Sequence, residues 1–400
     1  MKNNSLINIY RWELHIFILW HNVKNKRDII LKELNNTFNK NIILKWHWDS
    51  TLYISNLERF YLLEGNIIKS KLKHIWKWDF DIIIVYDKTP IYREKNTSSW
   101  LKFVNTNIFN LKQKYRKITG WWHLIHWTDS IIETKYQLFL LFWKQYNEIL
   151  ENIKNWNKIE PIVNTYNLFE INSFKTLFSI LNNFSNYVIL RNYNSFWDNY
   201  INYEHNDIDI LIIKEDFKII KSLLNLKKVY NKSYRVHYKT QINNQIIYFD
   251  FRFIWDNYYD INWEKDILKN RVKYNNFYIP DKENYNFSLL YHSLIHKKIF
   301  WNDYKNKLKE IFNYNNKSVL FSKLNQFLLK NNYKITEPND ISVYFNSKYI
   351  KKYLWIKFNI SFIRRINLIK SNIKKYLILF IKKIIPYKYI RYILIKFNYD

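Results

Sequence analysis

The sequence predicts a chain of mixed α/β (α+β) class, with two folded domains followed by a basic helical tail. Short apolar runs rich in Ile and Phe, typical of strands, alternate with segments whose apolar residues recur every three or four positions, typical of helices. With 400 residues, of which 48% are apolar, the chain can bury two hydrophobic cores. The predicted domains span residues 1–150 and 165–345, and the tail spans residues 346–400.

The first domain alternates strand and helix patterns along the chain. The elements are ELHIFILW, KRDIILKELNNTF, NIILKWHW, SNLERFYLL, FDIIIVYD and TKYQLFLLFWKQY. This order favours a small α/β layer fold that ends near Leu150. The polar stretch at 151–161, which ends in Pro161, is a predicted linker.

The second domain contains another α/β unit. A predicted helix, FKTLFSILNNF, precedes the strands YVILRNY and DIDILII, and the helix DFKIIKSLLNLKK precedes the strand IIYFDFRFI. Two helical segments follow, FSLLYHSLIHKK and DYKNKLKEIFNYN. No internal repeat is visible.

The tail carries a concentrated positive charge. From Lys348 onward there are 14 Lys and Arg residues and one acid, Asp400, and apolar residues between Ile363 and Ile384 recur every three or four positions. This pattern predicts a basic amphipathic helix, which either docks residues 348–398 on an anionic membrane or packs on the folded body. The whole chain has a net charge of +30, but an AT-rich coding bias would inflate Lys, so this charge is weak support for a nucleic-acid partner.

Cysteine is absent, so neither a disulfide framework nor a thiolate metal site is possible. The N-terminal stretch lacks the pattern of a signal peptide, and no uncharged apolar run approaches the ~18 residues of a membrane span. We therefore expect a cytoplasmic protein, peripheral at the inner face of the membrane where the tail docks.

Glycine is scarce and tryptophan abundant, with 2 Gly and 17 Trp in the chain. Turns and helix ends need positive φ angles that glycine adopts most cheaply. Several Trp stand where a turn would favour Gly: Trp76, Trp78, Trp121, Trp122, Trp127 and Trp255. We hypothesise that some of these positions are glycine in the native protein, encoded by UGA. The alternative is a protein that is simply rich in Trp.

Three acids indicate a metal site in the second domain. Asp207 and Asp209 alternate with Ile208 and Ile210, so on a strand both carboxylates project from one face. Side-by-side carboxylates repel unless a cation lies between them, and Mg²⁺ prefers one or two carboxylates together with phosphate oxygens. Asp250 lies in a second apolar strand, where a buried charge must be paired or metal-bound.

The segments YVILRNY, HNDIDILI, YFDFRFIWDNYYDINWEKDIL and FYIPDKENYNFSLLYHSLIHKK resemble nucleotidyltransferase-like proteins of bacterial surface-polysaccharide and glycoconjugate biosynthesis. The resemblance covers about residues 185–300. It implies a nucleotidyltransferase fold with a mixed sheet, in which Asp207 and Asp209 bind Mg²⁺ and Asp250 completes the site or activates the acceptor hydroxyl. Leu190-Arg191-Asn192 replaces the family's glycine turn, so that Arg191 and Asn192 become candidate phosphate ligands.

In the first domain, GWWHLIHWTDSIIETKYQLFLLF resembles the active-site segment of nucleoside diphosphate kinases. The resemblance implies a ferredoxin-like α/β sandwich in which His126 is phosphorylated. Arg116 is then a candidate phosphate ligand. On the alternative interpretation, HLIHWTDS is a turn that caps a helix, with Thr128, Asp129 or Ser130 as the N-cap.

The favoured function is a Mg²⁺-dependent enzyme that transfers a nucleotidyl or phosphoryl group from a nucleoside triphosphate to a sugar, polyol or glycan hydroxyl. Lys297 joins Arg191 as a candidate phosphate clamp. For His292 and His296, four residues apart on a predicted helix, packing or substrate contact is favoured over metal binding. The rival functions are a His126-dependent phosphotransferase and a basic protein that binds RNA or single-stranded DNA. The three buried acids make nucleic acid the less favoured partner.

Overall fold

The computed structural model describes residues 12–38, 41–63, 65–75, 79–97, 100–120, 124–128, 130–154, 168, 170–193, 196–197, 200–201, 207–229, 237–340 and 342–354. These residues form mixed α/β structure, as the sequence predicts. The chain divides into two compact units, Met1–Glu170 (unit 1) and Ile171–Asp400 (unit 2).

Unit 1 combines strands with helices. Its strands are β1 (Glu13–Leu19), β2 (Asn41–Trp46), β3 (Phe80–Asp87), β4 (Tyr92–Thr97), β5 (Trp100–Asn105) and β6 (Ile125–Trp127). Its helices are a 3₁₀ helix (His21–Lys26), α1 (Arg27–Thr37), α2 (Tyr53–Tyr61), α3 (Asn66–Ile75), α4 (Thr106–Thr119), α5 (Ile131–Phe142) and α6 (Tyr146–Lys154).

The main sheet of unit 1 has the order β2-β3-β1-β6, and every neighbouring pair is antiparallel. It follows that β1 and β2 run parallel on either side of β3, and that β3 and β6 run parallel on either side of β1. Each of these two parallel pairs forms a split βαβ arrangement. Helix α1 lies in the connection from β1 to β2, and α4 lies in the connection from β3 to β6. All of β1 and β3 is buried, which agrees with the continuous apolar runs that predicted these two strands.

Unit 2 is larger. Its strands are β7 (Tyr187–Ile189), β8 (Phe196–Trp197), β9 (Tyr200–Ile201), β10 (Asp207–Ile212), β11 (Lys227–Val229), β12 (His237–Ile242), β13 (Gln245–Phe253), β14 (Val272–Tyr274) and β15 (Phe277–Ile279). Its helices are α7 (Phe174–Phe184), α8 (Lys214–Leu223), α9 (Ile261–Lys269), α10 (Lys282–Ile295), α11 (Asn302–Phe312), α12 (Lys317–Lys330) and α13 (Ser347–Leu354).

A mixed five-stranded sheet of order β11-β12-β13-β10-β7 forms the centre of unit 2. Its two central strands, β10 and β13, are parallel, whereas β7 is antiparallel to β10 and β12 is antiparallel to β13. Leu211 of β10 packs in the same core as Leu290 and Leu294 of α10. Because side chains alternate along a strand, Asp207 and Asp209 share the face of Leu211 and therefore face the helical layer that contains α10.

Asparagine occupies many of the positive-φ positions where glycine is usually found. Among the described residues with positive φ, apart from Gly65 and Gly120, most are asparagines: Asn192, Asn225, Asn243, Asn244, Asn257, Asn275, Asn313 and Asn332. Asn tolerates this region better than other non-glycine residues. Asn therefore accounts for part of the glycine deficit without any change in the sequence.

Two tryptophans fit the hypothesis of glycine encoded as UGA. Trp255 has φ +80° and is 70% exposed, and Trp143 has φ +59°, values that carry a steric cost for a bulky residue. Trp127, by contrast, is buried in the core of unit 1 and pairs with Phe17 of the neighbouring strand. Trp76, Trp78, Trp121 and Trp122 lie outside the described residues.

The predicted amphipathic helix at 363–384 also lies outside the described residues. Within the part of the chain that the structure describes, no helix has the length and apolarity needed to cross a membrane.

Candidate functional site

The candidate site in unit 2 begins with three aspartates on its two central strands. Strands β10 and β13 pair in parallel with Asp209 opposite Asp250, and Asp207 lies two residues before Asp209 on the same face. Asp209 is 4% exposed and Asp250 is 5% exposed, so both carboxylates are withdrawn from bulk water. The sheet thus brings the three predicted acids to one region of one face.

Each of the two buried carboxylates has an arginine partner. Nη2 of Arg191 lies 2.6 Å from Oδ1 of Asp209, and Nη2 of Arg252 lies 2.7 Å from Oδ2 of Asp250. Nη1 of Arg252 also donates to Oδ2 of Asp340 at 2.8 Å. Burial opposes the charge of Arg191, but the carboxylate of Asp209 together with the hydroxyl groups of nearby tyrosines raises the pKa of the guanidinium well above its ordinary value. Both carboxylates are therefore compensated before any ligand binds.

A cavity of about 260 Å³ opens onto these acids. It is lined by all six residues that the sequence assigned to a site in this domain: Arg191, Asn192, Asp207, Asp209, Asp250 and Lys297. Lys298 and Tyr304 also line it, as do Ser342 to Tyr344 from the segment before α13. Asn192 has φ +61°, so it takes the backbone conformation that a glycine turn would supply. The cavity combines carboxylates with several cationic groups, a composition suited to a metal ion together with phosphate.

His292 adds a hydrogen-bonding group to the cavity. Its Nδ1 lies 2.7 Å from the hydroxyl of Tyr258, and its buried Nε2 has no hydrogen-bond partner among the described residues. Burial first, and then repulsion from Arg191 and Lys297, lowers the pKa of His292 well below its usual range, so the ring is neutral. In the tautomer in which the Tyr258 hydroxyl donates to Nδ1, Nε2 carries the proton and can donate to an oxygen atom of a ligand. The predicted role of His292 in packing or substrate contact agrees with this position.

The donor set suits Mg²⁺ only in part. In the described residues no group of three or more His, Asp or Glu side chains could hold a metal ion without other ligands. Asp207 has no ion-pair partner among the described residues, and Asp209 gives one oxygen to Arg191, which leaves its second oxygen for a cation. Mg²⁺ commonly uses one or two carboxylates and takes its other ligands from phosphates and water. The residues present therefore fit a metal ion that binds together with a phosphorylated substrate.

The other predicted site residues lie in unit 1. His126 is on β6, 7% exposed, and its ring packs against Phe60 and Tyr61. Its Nε2 lies 3.0 Å from Oε1 of Gln137, and burial lowers its pKa well below the usual range. This environment accounts for His126 as a packed, hydrogen-bonded core residue.

The helix that follows His126 is α5, and Ser130 is its N-cap, since its Oγ accepts a hydrogen bond from the amide of Glu133 at 3.2 Å. The alternative interpretation of this segment as a helix cap is therefore correct for Ser130. Asp129 lies outside the described residues. Arg116 is half-buried on α4 and contributes to lowering the pKa of His126, so these two predicted residues are electrostatic neighbours.

The sequence analysis missed a buried polar network in unit 1. Glu13 and Asp87 are opposite each other in the β1–β3 pair, and the side-chain amide of Asn105 donates to Asp87 at 2.8 Å. The hydroxyl of Tyr92 donates to Glu13 at 2.8 Å, and Nε2 of His15 lies 3.2 Å from the same carboxylate. Because these groups satisfy one another, the network accounts for its own burial without a ligand.

Comparisons of the chain with protein-family models, with characterised protein sequences and with solved structures give no significant match. The functional inference therefore depends on the chemistry of the cavity itself.

Proposed function

We propose that unit 2 is a Mg²⁺-dependent nucleotidyltransferase-like enzyme that acts on a sugar, polyol or glycan hydroxyl in surface-polysaccharide assembly. The observation that carries the proposal is the parallel pairing that sets Asp209 opposite Asp250, with Asp207 on the same face, at the wall of a cavity that also contains Arg191 and Lys297. Carboxylates for a cation and basic groups for phosphates are the two requirements of nucleotidyl transfer.

The residues have separate roles in this proposal. Asp207 and Asp209 would hold Mg²⁺, which when bound neutralises charge on the phosphate oxygens. Arg191, Asn192, Lys297 and the Nε2–H of His292 bind the triphosphate.

In the reaction, the acceptor oxygen forms a bond to the α-phosphorus while the bond from that phosphorus to the bridging oxygen breaks. Pyrophosphate leaves with the electron pair, and the hydroxyl proton passes to the carboxylate of Asp250.

The assignment of each unit to a named fold is part of the same proposal. The mixed sheet of unit 2, with helices packed on it, supports a nucleotidyltransferase fold for the predicted domain at 165–345. In unit 1, the order β2-β3-β1-β6 with two split βαβ arrangements supports a ferredoxin-like sandwich for the predicted domain at 1–150. The basic tail at 346–400 would bring the enzyme to acceptors at an anionic membrane surface.

The experiment is transfer of label from α-³²P nucleoside triphosphates to a panel of sugars, polyols and glycans in the presence of Mg²⁺. Pyrophosphate release is measured in parallel. We expect Asp207→Asn and Asp209→Asn each to lower transfer by about 100-fold or more, since a metal contributes several kcal/mol to charge stabilisation. Glu310→Gln, an exposed acid on α11, is the matched control and should leave transfer unchanged. Transfer that survives both aspartate substitutions would refute the proposal.

Phosphotransfer through His126 stays a prediction with its own test, namely acid-labile phosphate on His126 after incubation with a nucleoside triphosphate. The buried ring and its contact with Gln137 do not favour it.

A further inference from the structure

Tyr258 contacts His292 from the loop between β13 and α9. Its hydroxyl lies 2.7 Å from Nδ1 of His292, and the two residues both line the cavity of unit 2. Both are buried, so neither side chain has much access to bulk water. Among the described residues, Nδ1 of His292 is the hydrogen-bond partner of this hydroxyl.

Three further contacts hold the Tyr258 ring in place. Its backbone amide donates to Oδ1 of Asp256 at 2.9 Å. The guanidinium carbon of Arg252 lies 4.6 Å from the centroid of the Tyr258 ring, and the centroid of the His296 ring lies 4.2 Å from it. Because the ring is packed on several sides, the hydroxyl stays directed at Nδ1 of His292.

The direction of this hydrogen bond follows from what each group can satisfy elsewhere. Burial raises the pKa of Tyr258 to about 12, so the hydroxyl keeps its proton at neutral pH and needs an acceptor. The neutral ring of His292 offers one at Nδ1. If Nδ1 donated instead, the buried hydroxyl proton would have no acceptor among the described residues, which disfavours the folded state.

We propose that Tyr258 is a positioning residue whose hydrogen bond fixes His292 as an Nε2–H donor to an oxygen of the nucleotide's phosphate chain. The ligand rests on the function proposed for unit 2, whereas the tautomer does not. A neutral imidazole that accepts a hydrogen bond at one nitrogen carries its proton on the other. Nε2 is buried, has no hydrogen-bond partner among the described residues, and interacts electrostatically with Arg191 and Lys297. A phosphate oxygen accepts hydrogen bonds and carries negative charge, so it suits all three groups.

Tyr258→Phe removes the hydroxyl and keeps the ring. Nδ1 of His292 then has no donor, and the positive charges of Arg191 and Lys297 favour a lone pair over a proton at Nε2. We therefore expect Nδ1–H to become the major tautomer. A fraction of about one-fifth in the Nε2–H form would raise the apparent Kd for the nucleotide about fivefold.

Nitrogen-15 NMR of the histidine rings in the full chain at neutral pH measures the tautomer, because protonated and unprotonated ring nitrogens resonate far apart. The signals of His292 are identified by their loss in His292→Gln. We expect the proton on Nε2 in the unaltered chain and in Tyr259→Phe, and mainly on Nδ1 in Tyr258→Phe. Tyr259 is the matched control, since it is equally buried and its hydroxyl donates to the carbonyl oxygen of Ser288 at 3.4 Å. A proton on Nδ1 in the unaltered chain, or a doubly protonated ring, would overturn the proposal.

Calorimetry with Mg²⁺ and a non-hydrolysable nucleoside triphosphate measures the consequence for binding. Tyr258→Phe should raise the Kd about fivefold, and Tyr259→Phe should leave it unchanged. In the His292→Gln background, where no imidazole tautomer exists, Tyr258→Phe should have no further effect on the Kd. An equal rise in both backgrounds would show that Tyr258 does not act through His292.

The outcomes distinguish the role of Tyr258 from the function proposed for unit 2. A chain that binds the nucleotide with the expected tautomer but transfers no label contradicts the proposed function and supports the role of Tyr258. A chain that transfers label with an unchanged Kd in Tyr258→Phe overturns the role of Tyr258 alone. An unaltered chain that binds no nucleotide overturns phosphate as the ligand of His292. Where Tyr258→Phe does not fold, as judged by circular dichroism, the tautomer in the unaltered chain decides.

Discussion

Replacing Arg191 by Met separates the folding role of this residue from its effect on the proposed metal site beside it. Arg191 and Asp209 are both buried, with Nη2 and Oδ1 2.6 Å apart. Removing one partner of a buried ion pair typically costs about 3–5 kcal/mol, because the other charge is left uncompensated. Arg191→Met should therefore destabilise unit 2 by about this amount. The double variant Arg191→Met/Asp209→Asn, in which both charges are replaced by neutral side chains, should recover part of the lost folding stability.

Magnesium should rescue the single variant. Without Arg191, both oxygens of Asp209 become available beside Asp207, so Mg²⁺ should bind Arg191→Met more tightly than the unaltered protein. At a concentration of about 100 times its dissociation constant, a ligand stabilises the folded state by about 2.7 kcal/mol, or about a 100-fold increase in protection from exchange. The double variant Arg191→Met/Asp209→Asn lacks the carboxylate and should show little of this rescue.

Hydrogen exchange followed by mass spectrometry is the suitable assay, since peptides from β10 and β13 report on unit 2 alone. Each variant is measured with and without MgCl₂ at matched ionic strength. Arg271→Met is the control, because Arg271 in the same unit donates to the uncharged Asn186 and to the carbonyl oxygen of Tyr187. An equal effect of Mg²⁺ on the Arg191 variant, the double variant and the control would refute a metal site at Asp207 and Asp209.

Three further outcomes are expected. Trp255→Gly should be more stable than Trp255→Ala by about 1 kcal/mol, because the positive φ at this position has a steric cost for Ala and not for Gly. At the control position Leu329, which is exposed in α12, the Ala variant should instead be more stable than the Gly variant by about 1 kcal/mol. Thermal unfolding measures the stability difference within each pair of variants. Burial and the neighbouring Asp256 raise the pKa of Glu264 to about 8, so the folded state holds a proton that the unfolded state releases above about pH 4.5. Stability should accordingly fall as the pH rises from about 5 to 8, and Glu264→Gln should flatten this fall in Tm. Truncation before Lys348 should abolish binding to anionic liposomes, as measured by co-sedimentation; binding that survives truncation would assign membrane attachment to another part of the chain.

Much of the fold follows from the sequence where periodicity is strong. The central strands β1, β3, β10 and β13 were predicted from continuous or alternating apolar runs, and their burial explains why those runs are long. The hairpin strand β4, YREKNT, was missed because it is polar and mostly exposed, so no apolar pattern distinguishes it from a loop.

The candidate site was predictable in part, again because of the periodicity of strands. Alternation along one strand is enough to place Asp207 and Asp209 on a common face. The position of Asp209 opposite Asp250 depends on the register between β10 and β13. One helix and two strands separate β10 from β13 along the chain, so no local sequence pattern specifies that register. Arg252 could have been found, since it follows Asp250 by two residues and must share its face. Asp340 could not, because it reaches Arg252 from a loop 88 positions away.

The arginine pairs also determine how a metal ion would bind. Two carboxylates buried on adjacent strands would repel each other strongly if both were uncompensated, and the domain would then need a metal ion to fold. Arg191 and Arg252 supply the missing charge, so unit 2 does not need a metal ion in order to fold. The same pairs compete with the metal for carboxylate oxygens, which should make Mg²⁺ binding weak in the absence of substrate.

A triphosphate brings its own oxygens and offers Arg191 an alternative anionic partner. Metal and nucleotide should therefore bind with positive coupling, so that each lowers the dissociation constant of the other by the same factor. Calorimetric titration of Mg²⁺ with and without a non-hydrolysable nucleotide measures that factor. Independent binding would show that the carboxylates and the phosphate-binding groups do not act as one site.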